Sequence, residues 1–258
     1  MRRKLQQRIV TAVALLGGLI AAVAWLPLPW LAALFGLVVC ISSLEWCRLA
    51  GYESLPLRLA FLLLMTLAMV AIYVYCDLGG APRLERVQPL LGLAGLWWAI
   101  ALLWIRGYPA SEVLWGNRLM LGLMGLLVLL PAWLASVFLL SYDHGKLMLL
   151  AMVITVAGAD VGAYFSGRQF GRVKLAPSVS PGKSWEGVFG GQLVVVLLAL
   201  AAWFGLGLAQ VSLPGAIAIG VCSAAASVVG DLVESMVKRH KGVKDSGTLL
   251  PGHGGMLD

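Results

Sequence analysis

Long apolar runs constrain this chain more than any other feature, because about 20 consecutive apolar residues are enough to cross a bilayer as a helix. Eight such runs follow one another, at 9–26, 28–44, 57–76, 90–105, 119–140, 147–165, 188–210 and 213–233. Of the 258 residues, 60% are hydrophobic and 12% are charged, whereas soluble domains carry about 25% charged residues. The sequence therefore predicts an all-α, polytopic integral membrane bundle with about eight spanning helices. The runs at 28–44 and 90–105 are short, which makes either of them a candidate for a tilted or re-entrant segment.

The distribution of polar residues divides this membrane domain into two halves. Residues 1–146 carry charges only near predicted helix ends, where long side chains can reach water, and we interpret them as N-terminal scaffold helices. Residues 147–258 combine transmembrane helices with two polar segments, the loop 166–187 and the tail that follows residue 234. We expect both halves to form one continuous membrane domain, with the chemistry carried by the loops of the second half.

The positive charges predict the orientation of the chain. The net charge is +7, and threading eight spans from a cytoplasmic N-terminus places 16 of the 19 Lys and Arg residues on the cytoplasmic side. Since loops rich in Lys and Arg remain in the cytoplasm, the loop 166–187 and the tail are expected to share that face. The basic balance suits anionic lipid headgroups or nucleotide phosphates, whereas a chain this apolar is not expected to bind nucleic acid.

Asp160 lies inside a predicted span, in the stretch VAGADVGAYF. Ionisable residues are costly in a bilayer and usually serve function there. The alternative is a structural acid paired with a Lys or Arg of a neighbouring helix. Gly158 and Gly162 flank Asp160 and permit close helix contact or a bend.

The loop 166–187 combines basic residues with glycines, as a phosphate site does. Gly182, Lys183 and Ser184 resemble the end of a P-loop, but the first glycine of that motif would fall at Pro177, so this is not one. We predict a phosphate site of another kind, in a loop whose turn is ordered by Pro181. A loop that only fixes topology remains the alternative.

The end of the last predicted span and the tail concentrate the remaining polar chemistry. Asp231, Glu234, Ser235 and Lys238 are spaced i, i+3, i+4 and i+7 and therefore share one face of a helix. A surface ion pair between Glu234 and Lys238 is one interpretation, but it leaves Asp231 unexplained. A hard cation such as Mg²⁺ would suit Asp231 together with Asp258.

The tail carries a motif that identifies a family. The motif comprises Ser235-Met236-Val237-Lys238-Arg239, Lys244-Asp245, Gly247, Leu250-Pro251, His253-Gly254-Gly255-Met256 and Asp258. It resembles the signature of the bacterial phosphatidate cytidylyltransferases (CDP-diglyceride synthases), as do Asp160, the loop segment 180–187 and the segment 230–232. The family pattern continues past Asp258 with an Arg, an apolar residue, a second Asp and a final spanning helix. The chain is therefore expected to be a form truncated at its C-terminus, with weak Mg²⁺ binding and little or no turnover of CTP.

The resemblance implies a reaction and a set of roles. CTP and phosphatidate would give CDP-diacylglycerol and pyrophosphate, in phospholipid synthesis at the bacterial inner membrane, with Mg²⁺ and room for a second cation. The implied metal ligands are Asp231, Asp258 and Asp245, the last of which would alternatively orient Lys244. The implied binding residues for the substrate phosphates are Ser180, Lys183, Lys238, Arg239 and Lys244. His253 would donate to a phosphate oxygen or serve only as a turn residue, and Asp160 would orient a cation or a lysine.

Two other functions remain open at this point. A CTP-dependent polyprenol kinase would share a cytoplasmic CTP site among many spans but would transfer the γ-phosphoryl group. A membrane transporter would use Asp160 and Asp231 as an ion path. The expected partners are CTP, phosphatidate and the bilayer, and a homodimer is compatible with the sequence.

Overall fold

The fold is described from a computed structural model, for residues 2–206, 212–252 and 254–258. These residues form nine helices: α1 (Arg2–Trp25), α2 (Leu28–Leu49), α3 (Leu55–Tyr75), α4 (Leu84–Gly107), α5 (Glu112–Trp115), α6 (Arg118–Leu140), α7 (Gly145–Phe170), α8 (Trp185–Leu206) and α9 (Leu213–His240). They also form two short strands, β1 (Lys174–Ala176) and β2 (Ser180–Ser184). The predicted all-α class is confirmed.

Each predicted apolar run coincides with a helix. Seven of the helices in the described ranges, α2, α3, α4, α6, α7, α8 and α9, are long and apolar enough to cross a membrane, and α1 contributes the shorter apolar helix Val10–Trp25. The expected count of about eight spans is therefore close. The two runs that looked short belong to continuous helices of 22 and 24 residues, α2 and α4, which are long enough to span a membrane; the tilted or re-entrant interpretation stays a prediction. Residues 207–210 of the predicted run 188–210 lie outside the described residues.

The chain divides into two compact units. The first comprises residues 1–100, 111–146 and 237–258, and the second comprises residues 101–110 and 147–236. The predicted division after residue 146 coincides with a change of unit, but the tail belongs with the N-terminal helices and not with the helices that precede it. Both α4 and α9 contribute residues to the two units.

The first unit is organised around contacts among α2, α3 and α6. Its core contains Met65, Val87, Trp133 and Val137, all nearly inaccessible to solvent. The Trp133 indole N–H donates to the carbonyl oxygen of Ala32 at 3.1 Å. Because a buried indole N–H without a partner is costly, this bond fixes how α6 packs on α2.

The second unit depends on glycines where α7 meets α8. A Cβ atom at Gly162 would lie 2.9 Å from the carbonyl oxygen of Gly190, and one at Gly191 would lie 2.7 Å from that of Ala159. Real Cβ atoms do not approach a carbonyl oxygen so closely, so these positions accept only glycine without a shift of the backbone. The predicted close helix contact around Asp160 is confirmed.

The loop 166–187 contains a β-hairpin that the sequence did not reveal. Lys174 pairs with Ser184 and Ala176 with Ser180, with an irregularity between the two pairs. The hairpin continues directly into α8, whose Gly187 N–H donates to Ser184 Oγ at 3.2 Å. Val179 at the turn is buried. The expectation of a shaped loop is confirmed, and β2 gives Ser180 and Lys183 fixed backbone positions.

The glycine contact predicts a difference between two substitutions in α8. Gly191→Val should destabilise the protein by about 1–3 kcal/mol, because the new side chain overpacks the contact with α7. Gly205→Val is the matched control, since a Cβ there meets nothing within 4 Å. The measurement is the melting temperature of the purified protein in detergent. Equal melting temperatures for the two variants would contradict the close packing of α7 and α8.

Candidate active site

The polar residues singled out from the sequence fall into two groups, one in each unit. Asp160, Ser180, Lys183 and Asp231 belong to the second unit, and the residues of the tail belong to the first. Each group has its own geometry.

In the second unit, an ammonium group and two carboxylates come together. The Lys183 ammonium on β2 forms a direct ion pair with the Asp231 carboxylate on α9. Asp160 on α7 interacts electrostatically with both of them. The Lys183 side chain is 29% exposed and that of Asp231 is 49% exposed, so the cluster is open to a ligand. The basic neighbour of Asp160 lies on the hairpin and is itself paired with Asp231, so the expected pairing with a Lys or Arg of a neighbouring helix is not what the described residues show, and the role of Asp160 stays a prediction.

A cavity of about 580 Å³ adjoins this cluster within the same unit. Its volume lies within the range of small-molecule sites, about 300–1,000 Å³. The lining is mostly apolar and includes one cationic side chain; it contains Ile105, Arg106, Tyr108, Val179, Trp185 and Leu232. Leu232 directly follows Asp231, and Val179 belongs to the hairpin that carries Lys183. An apolar cavity beside a charged cluster is suited to a ligand with one polar and one apolar end.

In the first unit, Asp258 is the centre of a hydrogen-bonded cluster. Its Oδ1 accepts from Lys238 Nζ at 2.6 Å. Its Oδ2 accepts from Ser246 N at 2.8 Å, Ser246 Oγ at 2.9 Å and Gly255 N at 2.7 Å. Burial alone would raise the pKa of this carboxyl group, but the bonds from Lys238, Gly255 and Ser246 outweigh it and lower the pKa from 3.8 to about 2. Asp258 is therefore an ionised anchor for the tail at neutral pH.

Glu45 is a second anchor of the tail, and sequence reasoning missed it. The side chain is buried, with 6% exposed. Its Oε1 accepts from Met256 N at 2.9 Å, and its Oε2 accepts from Leu257 N and Ser246 Oγ, both at 3.0 Å. The predicted span ended at residue 44, which placed Glu45 in a loop, whereas α2 continues to Leu49. Recognising that the apolar run extends through Trp46 and Cys47 would have identified an acid within a long apolar helix.

The other predicted tail residues lie outside the hydrogen-bonded clusters of Asp258 and Glu45. Lys244 and Asp245 are exposed. The Arg239 guanidinium makes a long contact of 3.5 Å with the carbonyl oxygen of Val243. His253 lies outside the described residues. The roles given to these residues stay predictions.

The carboxylates differ in how well they suit a metal. Within residues 2–206, 212–252 and 254–258, no group of three or more His, Cys, Asp and Glu side chains is close enough to hold a metal ion. Mg²⁺ is usually held by one or two carboxylates together with substrate phosphates, and Asp160 and Asp231 fit that pattern, with the Lys183 ammonium already beside them as a cation. Asp258 fits less well, because both of its oxygens accept hydrogen bonds, one of them from Lys238. The predicted metal roles of Asp231, Asp245 and Asp258 remain predictions.

Comparison with known proteins relates the whole chain to one family. The sequence model of the cytidylyltransferase family matches residues 6–258. The chain is similar to the phosphatidate cytidylyltransferase of Pseudomonas aeruginosa, at 44% identity over 98% of this chain and 91% of the relative. It is also similar to the enzymes of the same name from Haemophilus influenzae, at 37% over 98% and 93%, and from Bacillus subtilis, at 31% over 98% and 91%. The similarity covers both units.

The lowered pKa of Asp258 predicts how the tail responds to acid. A carboxyl group whose pKa is lowered in the docked state stabilises that state above its ordinary pKa, and the contribution disappears as pH falls through the lowered value. The docking of the tail should therefore keep its full stability down to about pH 4 and lose about 2 kcal/mol between about pH 4 and 2, so that the tail becomes more mobile there. The measurement is the anisotropy of a fluorophore attached at the exposed position Thr248, without divalent cations. Asp258→Asn should lack this acid transition and show a more mobile tail already at neutral pH; an unchanged transition in that variant would contradict the assignment.

Proposed function

The chain belongs to the cytidylyltransferase family, and from that premise we propose that it transfers the cytidylyl group of CTP to phosphatidate, giving CDP-diacylglycerol and pyrophosphate. The chain is a nucleotidyltransferase of phospholipid synthesis embedded in a membrane by at least seven apolar helices of the described ranges. The observation that supports the proposal best is the open cluster of Lys183, Asp160 and Asp231 beside a mostly apolar cavity. A lipid phosphate presents the same pair of properties, an anionic group joined to apolar chains.

The chemistry determines what the protein must supply. An oxygen of the phosphatidate phosphate attacks the α-phosphorus of CTP, a new P–O–P linkage forms, and the bond from the α-phosphorus to pyrophosphate breaks. A phosphate monoester is already nucleophilic near neutral pH, so no general base is required. The enzyme must bring two anions together and hold them in line, and catalysis of this kind rests on positioning and charge neutralisation.

The cluster of the second unit supplies charge of both signs. Lys183 would bind a phosphate oxygen, since a charge-assisted hydrogen bond is stronger than a neutral one. Asp160 and Asp231 would hold Mg²⁺, which when bound neutralises charge on the phosphate oxygens. Ser180, at the start of the same strand, would contribute a hydroxyl to the substrate. The ion pair between Lys183 and Asp231 keeps both side chains in position until substrate binds.

The adjoining cavity would receive part of the lipid. Ile105, Val179 and Leu232 offer apolar surface to the glycerol backbone and the first part of an acyl chain. Arg106 offers a guanidinium group, which pairs well with phosphate. The structure gives Arg106 no hydrogen bond or ion pair with another described residue, so a lipid phosphate need not displace a partner.

The tail would contribute further positive charge. Lys238, Arg239 and Lys244 would bind the CTP phosphates or the departing pyrophosphate, with Lys238 held in place by Asp258. His253 keeps the role of a phosphate hydrogen-bond donor that the family signature implies. These assignments rest on the signature and on the charge of the side chains.

The reaction predicts which phosphorus atom of CTP enters lipid. The full-length protein in phosphatidate-containing vesicles with Mg²⁺ should incorporate label from [α-³²P]CTP into lipid and none from [γ-³²P]CTP, and chelation of Mg²⁺ should stop incorporation. A CTP-dependent polyprenol kinase would show the reverse pattern with polyprenol, and a transporter would show no lipid labelling. Incorporation of γ-label, or of neither label, would contradict the proposal.

Variants of Lys183 and Asp231 test the role of the cluster in the same assay. Lys183→Ala should lower kcat/KM for CTP roughly tenfold to a hundredfold, the loss of one charge-assisted phosphate contact. Asp231→Asn keeps the size of the side chain but removes its charge, and activity should fall at least about a hundredfold because charge stabilisation is usually the largest catalytic contribution. Arg48→Ala is the matched control, since Arg48 is exposed and lies outside the cluster. Similar small effects at all three positions would favour a loop that only fixes topology.

We further propose that the hairpin and the tail face the cytoplasm at the bacterial inner membrane, on the basis of the charge asymmetry. In a chain without native cysteines, single cysteines at the exposed positions Ser178 and Thr248 should be protected from a membrane-impermeant thiol reagent in sealed cells and should react after permeabilisation. A cysteine at the exposed position Arg83 is the control, because its loop is expected on the other side and should react in sealed cells. Labelling of Ser178 and Thr248 positions in sealed cells would refute the orientation.

A further inference from the structure

Glu45 is a buried carboxylate that the proposed reaction does not use. It lies in the last two turns of α2 and is 6% exposed. Among the described residues, its hydrogen bonds come from neutral donors, the backbone N–H groups of Met256 and Leu257 and the hydroxyl of Ser246. Because an ionisable group buried in this way is costly without partners, these bonds are needed to keep Glu45 in place.

The three donors come from both ends of one tail segment. Ser246 begins the segment and Leu257 ends it, so one carboxylate fastens both ends of the loop 246–257. Inside the loop, regular structure is limited in the described residues to an isolated bridge between Leu250 and Gly254. A loop with so little internal structure depends on external contacts for its order, and α2 supplies such a contact from a helix in the core of the first unit.

Two glycines of the loop make room for this carboxylate. A Cβ atom at Gly247 would lie 2.7 Å from Glu45 Oε1, and one at Gly255 would lie 2.3 Å from Glu45 Oε2. Larger residues at these positions would collide with the carboxylate. The need for glycine at positions 247 and 255 is thus explained by the approach of the tail backbone to Glu45.

Ser246 links Glu45 to Asp258. Its hydroxyl lies 3.0 Å from Glu45 Oε2 and 2.9 Å from Asp258 Oδ2. A hydroxyl group has one hydrogen to donate, so the two carboxylates share this donor. Asp258 in turn holds Lys238 at 2.6 Å. A continuous chain of contacts therefore runs from Glu45 through Ser246 and Asp258 to the ammonium group of Lys238.

We propose that Glu45 is a positioning residue of the enzyme, which fastens the tail loop to α2 and thereby sets the position of the Lys238–Asp258 pair for the CTP phosphates. The kinetic part of this inference rests on the proposed function, whereas the fastening of the loop does not. Glu45 itself does not touch substrate.

Hydrogen exchange of the full chain in lipid nanodiscs tests the fastening. Glu45→Gln keeps the size of the side chain but replaces an acceptor oxygen by an NH₂ group, which cannot accept from a backbone N–H. The tail peptide containing Met256 and Leu257 should exchange at least about tenfold faster in this variant, while peptides from α3 and α6 keep their protection. Glu53→Gln is the matched control, because Glu53 is exposed in the loop just after α2. Unchanged exchange of the tail in Glu45→Gln would overturn the proposal, whatever the activity of the chain.

Kinetics of the same variants test the consequence for CTP. Partial unfolding lowers the amount of active enzyme, and so the apparent kcat, but leaves KM for CTP unchanged. A displaced tail should raise KM for CTP roughly tenfold or more in Glu45→Gln, and Glu45→Asp should restore part of the loss because it keeps the charge. Glu45→Gln combined with Asp258→Asn should cost less than the sum of the two single changes, because both act through Ser246. A change confined to kcat, or full additivity, would refute the positioning role.

Ser246→Ala provides the same test if Glu45→Gln does not fold. It removes the shared hydroxyl without altering α2, and it should accelerate exchange of the tail and raise KM for CTP in the same direction. Absence of both effects would overturn the proposal. If the unaltered protein labels no lipid with CTP, the proposed function fails, while the exchange experiment still decides whether Glu45 fastens the tail.

Discussion

The structure depends on one constraint, the high free-energy cost of leaving a charged group without partners in a chain that is mostly hydrocarbon. The two polar groups described above meet it in two ways. In the second unit, the Lys183 ammonium pairs with the Asp231 carboxylate and also interacts electrostatically with Asp160. In the first, Glu45 is matched by backbone and hydroxyl donors that the tail brings to it. The fold around each group brings those partners within hydrogen-bonding or ion-pairing distance.

The partners reach these charged groups only where segments of backbone approach each other closely, and glycine permits that approach in both units. Gly162 and Gly191 let α7 and α8 approach until backbone meets backbone, which brings Asp160 near the hairpin that follows α7. Gly255 lets the tail backbone reach Glu45. In each case a side chain would occupy the space that a polar contact needs. These three glycines therefore make room for contacts of charged groups and are not needed only for turns.

The sequence predicted the features that depend on hydropathy. It did not predict the features that depend on contacts between residues far apart in the chain. The apolar runs located each of the seven long apolar helices of the described residues, because length and apolarity are local properties of the chain. The ion pair of Lys183 with Asp231 could not be predicted, since those residues lie in separate elements. The local sequence does not indicate which acidic residue will contact which basic residue. The hairpin was not predicted because Pro181 and Gly182 are untypical of a strand. Glu45 was not identified because the predicted span ended one residue before it. The site residues of the signature were identified by resemblance, and their grouping into two units was visible only in the structure.

The two groups share a chemical motif, since each holds a lysine of the proposed phosphate sites against an aspartate. Lys183 is paired with Asp231, and Lys238 is paired with Asp258. Under the proposed function, a lysine that turns to a phosphate leaves its aspartate without that cation, and other groups must then satisfy the carboxylate. Free CTP would supply a partner for the lysine only, and a free cation would supply one for the aspartate only. The pairs therefore favour arrival of the nucleotide together with its cation, because that combination satisfies both members of a pair at once. At Asp258 the remaining bonds from Ser246 and Gly255 would keep the carboxylate satisfied even after Lys238 leaves, so the tail can release its lysine without losing its own anchor.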